Sequence, residues 1–183
     1  MPTEDDYFIR RFEADDAASF VAAVQASLPD LAESMPWCKP DYALADAVAW
    51  IAFTQQAWAG GTEFPLGIFE CASGSVVGGV GINQINKAHS ICNLGYWVSA
   101  PHSRRGVARF AARAAARLAV GDLGLSRVEI VTRVDNEASR RVAEVIGARF
   151  ECIARNRLRV GAKSESAAVY SLTSEDVWAW TRG

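Results

Sequence analysis

"SAPHSRRGVARFAARAAARLAV", residues 99–120, decides the fold. It follows the apolar run "ICNLGYWV" at 91–98, so a strand is expected to end against a loop that feeds two arginines and a glycine into an alanine-rich helix. Gly106 and Ala108 put small residues at alternate positions where that helix begins. The first amides of a helix have no acceptor behind them and sit at the positive end of its dipole. With side chains missing there, a phosphate can approach the backbone, and a pyrophosphate would fit. A plain tight turn carries the same local signature. A kinase-type phosphate loop, GxxxxGK[ST], is absent, and one glycine does not make a dinucleotide fingerprint.

Past Gly106 the helix turns Val107, Phe110, Ala111, Ala114 and Leu118 inward by its spacing, and Arg105, Arg109, Arg113 and Arg117 form a solvated stripe. "RVEIVTRV" alternates as a strand, "NEASRRVAEVIGA" is a short helix closed near Gly147, and "FECIARNRLRV" and "SAAVYSL" flank "GAKSE" as a hairpin. "TSEDVWAW" caps a last helical turn. Upstream, Phe20, Val21, Val24 and Leu28 share one helical face with Asp15 or Asp16 as the cap, and Pro29 bends or ends that helix. A second helix starts at Asp41, carries Leu44, Val48, Trp50, Ile51 and Phe53, and stops at Gly60 and Gly61. "EFPLGIFE" and "SVVGGVGIN" are strands joined by the turn "CASGS", and Gly95 within the next strand marks a bulge or a close backbone approach.

The chain has 183 residues, half of them hydrophobic, and shows no repeat or linker, so one mixed α/β domain over 1–183 is expected. Nineteen Lys and Arg against 21 Asp and Glu leave a net charge of -2, too little basic field for nucleic acid as the main partner. Cys38, Cys71, Cys92 and Cys152 form no CxxC pair and there are two histidines, so no metal is expected and reduced thiols in a cytoplasm are. No stretch reaches the ~18 apolar residues of a membrane span. No Cys-His or CxxC motif around Cys92 or Cys152 marks an activated thiolate, which favours core packing for both.

In order, "GYWVSAPHSRRGVA", "LSRVEIVTRVDNEASRRVAEVIGARFE" and "RVGAKSESAAVYSLTSED" resemble the core of the GNAT superfamily of acetyl-CoA-dependent N-acetyltransferases. The "GYW" strand, the Asn136-x-x-Ser139 spacing and the closing hairpin resemble its RimJ/RimL-type branch, and "SLPDLAESMPWCKPDYALADAVAWI" is similar to that branch's opening helices. The resemblance implies a mostly antiparallel mixed sheet of six to seven strands, splayed at the coenzyme site, with about four helices. It implies acetyl-CoA as co-substrate, its pyrophosphate on the amides of Arg104, Arg105, Gly106, Val107 and Ala108, and its pantetheine arm along Trp97 and Val98. Ser103 stands where members carry Gln or Arg, with Arg104 and Arg105 as substitutes.

Asn136 corresponds to the pantetheine-contacting asparagine, and Ser139 to the hydroxyl that faces the coenzyme sulfur and serves as hydrogen-bond donor or general acid. As residues alone, the pair also reads as a helix cap. Many relatives carry a carboxylate where this chain has Asn93, so the general base stays open among His89, Glu129 and Glu151. Met35 and Trp37 are expected to line the acceptor side or to anchor a helix corner. An N-terminal amine, with a pKa about 2.5 units below that of lysine, is about 3.4 kcal/mol easier to deprotonate and suits a site with a poor base. The expected acceptor is therefore a protein N-terminus or a small amine, and the expected state a monomer or homodimer. A coenzyme-binding sensor without transfer is the alternative, and nucleotide binding through the arginine loop ranks last.

Overall fold

A computed structural model describes residues 6–28, 31–32, 35 and 37–180. Seven strands form a mixed sheet in the order β1-β2-β3-β4-β5-β7-β6. They are β1 (Tyr7–Arg10), β2 (Phe64–Glu70), β3 (Val76–Asn86), β4 (Ile91–Val98), β5 (Arg127–Arg133), β6 (Arg149–Val160) and β7 (Lys163–Thr173). β1 with β2, β5 with β7 and β6 with β7 run antiparallel, whereas β4 and β5 are parallel. Among the described residues five α-helices accompany the sheet: α1 (Ala17–Gln25), α2 (Leu44–Gly60), α3 (Val107–Gly121), α4 (Glu137–Val145) and α5 (Ser174–Ala179). This is the expected α/β architecture, with α5 at the expected last helical turn and one strand, β1, that no sequence signal announced.

The chain divides into two compact units, Met1–Gly81 with Tyr96–Ala111, and Ile82–Gly95 with Ala112–Gly183. The first is built around an apolar cluster in which Phe12, Phe20, Val24, Leu31, Tyr42, Ile51 and Phe69 are buried. A 3-10 turn, Ala14–Asp16, leads into α1, and Asp16 closes a capping box by accepting the Glu13 amide at 2.7 Å. The Arg10 guanidinium grips the same carboxylate at 2.7 and 2.8 Å. Pro29 lies outside the described residues.

α2 does not start at Asp41. Its N-cap is Ala43, and Asp46 three residues on accepts the Ala43 amide at 2.9 Å, since an acidic side chain at that position reaches back to the orphan donor. Gly61, at φ 61°, ends the helix in the left-handed conformation glycine allows. Leu44 and Val48 point outward, each 54% exposed, while Ala47, Ile51, Thr54 and Ala57 make the buried stripe.

In the second unit, β5 alternates as its sequence does, burying Val128, Ile130 and Thr132. β6 and β7 turn over two residues, with Val160 paired to Lys163, so the hairpin is tighter than a "GAKSE" loop; Gly161 at φ 58° makes that turn possible. Along α3 the buried stripe runs through Val107, Ala111, Ala112, Ala115, Ala116 and Ala119, and Phe110, Ala114 and Leu118 flank it half-buried. Alanines permit that close approach, which turns the helix from the face its larger residues suggest. Arg113 and Arg117 of the stripe lie 5.0 and 5.9 Å from the centre of the Trp180 ring.

Candidate active site

The turn after β4 is tied down at its start. The Ser99 amide donates to Val77 O at 2.8 Å, and Ala100–His102 form one 3-10 turn. The Ser99 hydroxyl and His102 Nδ1 are 3.0 Å apart, and His102 Nε2 lies 3.6 Å from the Glu70 carboxylate. Beyond that anchor the backbone changes hand twice, with Arg104 at φ 61° and Gly106 at φ 83°. The first bond of α3 runs from the Phe110 amide to Gly106 O at 3.0 Å, so the amides of Val107 and Ala108 precede the helical ladder. Arg104 and Arg105 are exposed, Gly106 is half-buried, and a Cβ added at Gly106 would meet just Arg109 Nη2, 3.9 Å away. The result is an open run of backbone donors at a helix N-terminus, a fit for a diphosphate.

β4 leaves β5 early. Their register consists of Ile91 with Arg127, Cys92 with Val128 and Asn93 with Glu129, while β5 continues against β7 through Arg133. The parallel pairing with β5 thus covers Ile91–Asn93 and none of the later residues of β4. Trp97 and Val98 lie in this later stretch, both half-buried. The Trp97 ring packs edge-on to Phe20 at 5.7 Å and against Trp37 at 5.9 Å. Gly78 and Gly79 make room for it, because a Cβ at Gly78 would stand 2.4 Å from Trp97 O and one at Gly79 2.6 Å from its Nε1.

Asn136 is the N-cap of α4, its Oδ1 accepting the Ser139 amide at 3.0 Å. The capping geometry is thus present. Ser139 is half-buried.

The three base candidates occupy separate settings. His89 sits in the exposed turn between β3 and β4, where its amide donates to Asn86. Glu129 accepts from Arg127 at 3.0 Å and lies 3.7 Å from Arg157. Glu151 accepts from Arg127 and from the Ser171 hydroxyl, each at 2.7 Å. The Arg127 bonds, then that of Ser171, hold the Glu151 carboxyl down at about 2. Such a carboxylate is a weak proton acceptor.

Met35 and Trp37 pack on the apolar cluster of the first unit. Trp37 is its aromatic hub, 5.8 Å from Tyr42 and stacked at 6.3 Å on Trp50. Cys92 is buried, and burial first, then the charge of Glu129, pushes its thiol up to about 12, which suits packing. Cys152 is exposed on β6, contrary to a core role, because β6 is an edge strand. Among the described residues no group of His, Cys, Asp and Glu could hold a metal ion, and no helix is long and apolar enough to cross a membrane.

Residues 7–149 match the family model of the acetyltransferase (GNAT) domain. A Bacillus subtilis (strain 168) protein named for ribosomal N-acetyltransferase activity, YdaF, is 31% identical over 103 residues, 56% of this chain and 56% of that protein. The match thus spans little more than half the length of this relative. A Vibrio cholerae structure described as a ribosomal-protein-serine acetyltransferase is 26% identical, with a TM-score of 0.79 over 92% of this chain and 94% of that one. The ribosomal L7/L12 α-N-protein acetyltransferase RimL, solved with coenzyme A, superposes with a TM-score of 0.83 over 94% and 96% at 17% identity, a likeness of fold.

Proposed function

Because this chain belongs to the acetyltransferase (GNAT) family, we propose that it carries the acetyl group of acetyl-CoA to a primary amine by direct attack, with 1–183 acting as one catalytic domain in the cytoplasm. The preferred acceptor in this reading is the α-amine of a protein or peptide N-terminus, or a small amine of similar pKa. The observation that carries the reading is the open turn at 104–108, whose backbone donors suit a diphosphate. Acetyl-CoA supplies a thioester whose carbonyl carbon takes the amine, the C–N bond forming as the C–S bond breaks and the coenzyme leaves as a thiolate.

The chain's own residues then have defined tasks. Amides of Arg104, Arg105, Gly106, Val107 and Ala108 bind the diphosphate, and backbone groups of Trp97 and Val98 align the pantetheine arm. The side-chain amide of Asn136 donates to that arm. Ser139 Oγ donates its proton or a hydrogen bond to the departing sulfur. Met35 and Trp37 border the acceptor. With Glu151 pinned by Arg127, the proton released by the amine passes to water, which favours an amine of which a useful fraction, about a tenth, is already neutral at pH 7.

Thiol release from acetyl-CoA, followed over peptides with free N-termini and peptides with free lysines alone, tests this at pH 7. Faster turnover on N-termini is expected. Equal rates on lysine would overturn the acceptor class, and turnover with any amine removes the sensor reading.

A further inference from the structure

Asn93 is the last residue of β4 to pair with β5, and its side chain is held by β3, Nδ2 donating to Asn83 Oδ1 at 2.9 Å. The other end of the amide is unsatisfied. Asn93 Oδ1 is buried and, among the described residues, accepts no hydrogen bond. Buried acceptors of native proteins nearly always have a donor, so an orphan asks for one that arrives with a ligand. Asn83 decides which end of the amide is left over, since its own oxygen takes the two-proton end.

Two residues further, strand alternation returns Gly95 to the same face as Asn93. A Cβ built at Gly95 meets nothing within 4 Å, so space lies open beside that backbone. Glycine within a strand often marks such an approach by a ligand. One face of β4 therefore offers an acceptor without a donor and, next along it, an opening without a side chain.

We propose that this face seats the attacking amine, which donates one N–H to Asn93 Oδ1 while the carbon bearing it occupies the space at Gly95. The amide oxygen takes a hydrogen bond from an ammonium or a neutral amine alike and does not compete for the nitrogen lone pair. An N-terminal residue with a small side chain fits; one with a bulky side chain on that carbon does not. The assignment rests on the acetyltransferase reading above and adds to it the residues that choose the acceptor.

Steady-state kinetics of the full chain with an N-terminal peptide acceptor test it through three variants. Gly95→Ala adds a methyl group where the structure has room, so the fold is kept while the seat is filled. Asn93→Leu removes the acceptor oxygen, and Asn93→Asp restores one, with Asn83 free to turn its amide and donate. Asn93→Leu is expected to raise the acceptor KM about tenfold or more, the worth of one hydrogen bond to a charged group, and Gly95→Ala to raise it severalfold by occupying the seat. The acetyl-CoA KM and the calorimetric affinity for coenzyme A should stay within about twofold, and Asn93→Asp should recover most of the lost acceptor affinity. An unchanged acceptor KM in both damaging variants overturns the assignment, as does a loss shared equally by acceptor and coenzyme. Wild-type protein that binds coenzyme A yet acetylates no amine overturns the acetyltransferase reading itself, a result distinct from either.

Discussion

The buried hydroxyl of Ser27 accepts the backbone N–H of Ala100 at 2.7 Å. Ser27 in turn donates its hydroxyl proton in a hydrogen bond to Ala23 O at 3.1 Å, so the end of α1 is fastened to the first residue of the turn that precedes the 104–108 loop. Ser27→Ala strands that amide and is expected to cost about 1 kcal/mol of folding stability and to weaken coenzyme A binding. Urea midpoints and calorimetry check both; a variant with wild-type values in each would show the tie to be idle.

Gly106 at φ 83° is where L side chains are strained. Gly106→Val should cost roughly 1–2 kcal/mol of stability and lower coenzyme affinity by more, because the side chain also stands over the amides. A titration with coenzyme A that matches wild type would remove the diphosphate from this turn.

Gly78→Ala places a methyl carbon 2.4 Å from Trp97 O, a backbone atom that cannot swing aside. Overpacking of this kind costs about 1–3 kcal/mol, so the melting temperature should fall and the fluorescence of the Trp97 environment should change. An unshifted melt would mean that β3 and β4 adjust freely.

Asn136 has two roles that substitution can separate. Asn136→Ala should lose about 1 kcal/mol of stability with the cap. Asn136→Asp keeps a capping oxygen and should hold the stability, yet lose coenzyme affinity with the amide donor. If the aspartate variant binds coenzyme as wild type does, capping is the whole of the residue's work.

Glu151 gives the fold a pH dependence whose sign follows from its pairing. Hydrogen bonds from Arg127 and Ser171 lower its carboxyl to about 2 from the ordinary 4.5. Its contribution is therefore complete above pH 4.5 and is lost as pH falls from there toward 2. The side chain is 36% exposed, so solvent screening leaves about 1 kcal/mol or less. Glu151→Gln should flatten denaturation midpoints across that acid window, and an acid slope as steep as wild type would assign the effect to other carboxylates.

Features with local causes were readable from the chain alone. The strand–loop–helix at 91–121 depends on Gly106 and the residues beside it. The cap at Asn136 depends on an oxygen three residues from its amide, and the stop at Gly61 on a missing Cβ. Each is fixed by neighbours a few bonds away, so sequence spacing carries it. The short strand β1 was not readable, because four residues with one buried side chain at the start, Tyr7, make no periodic pattern and become a strand by pairing with β2.

Long-range contacts decided the rest. Glu151 and Arg127 are 24 positions apart, and only the pairing of β5 and β6 with β7 turns a base candidate into a pinned carboxylate. The same is true of Asn93, whose unmet oxygen exists because Asn83 claims the other end of its amide and because the pairing with β5 ends there. The sequence by itself thus determined the glycine-bearing loop at 104–106, the cap at Asn136 and the stop at Gly61, whose energies are local. Tertiary structure alone decided which polar groups are satisfied and which are not, since a hydrogen bond is spent on whatever partner the fold brings within 3 Å or so.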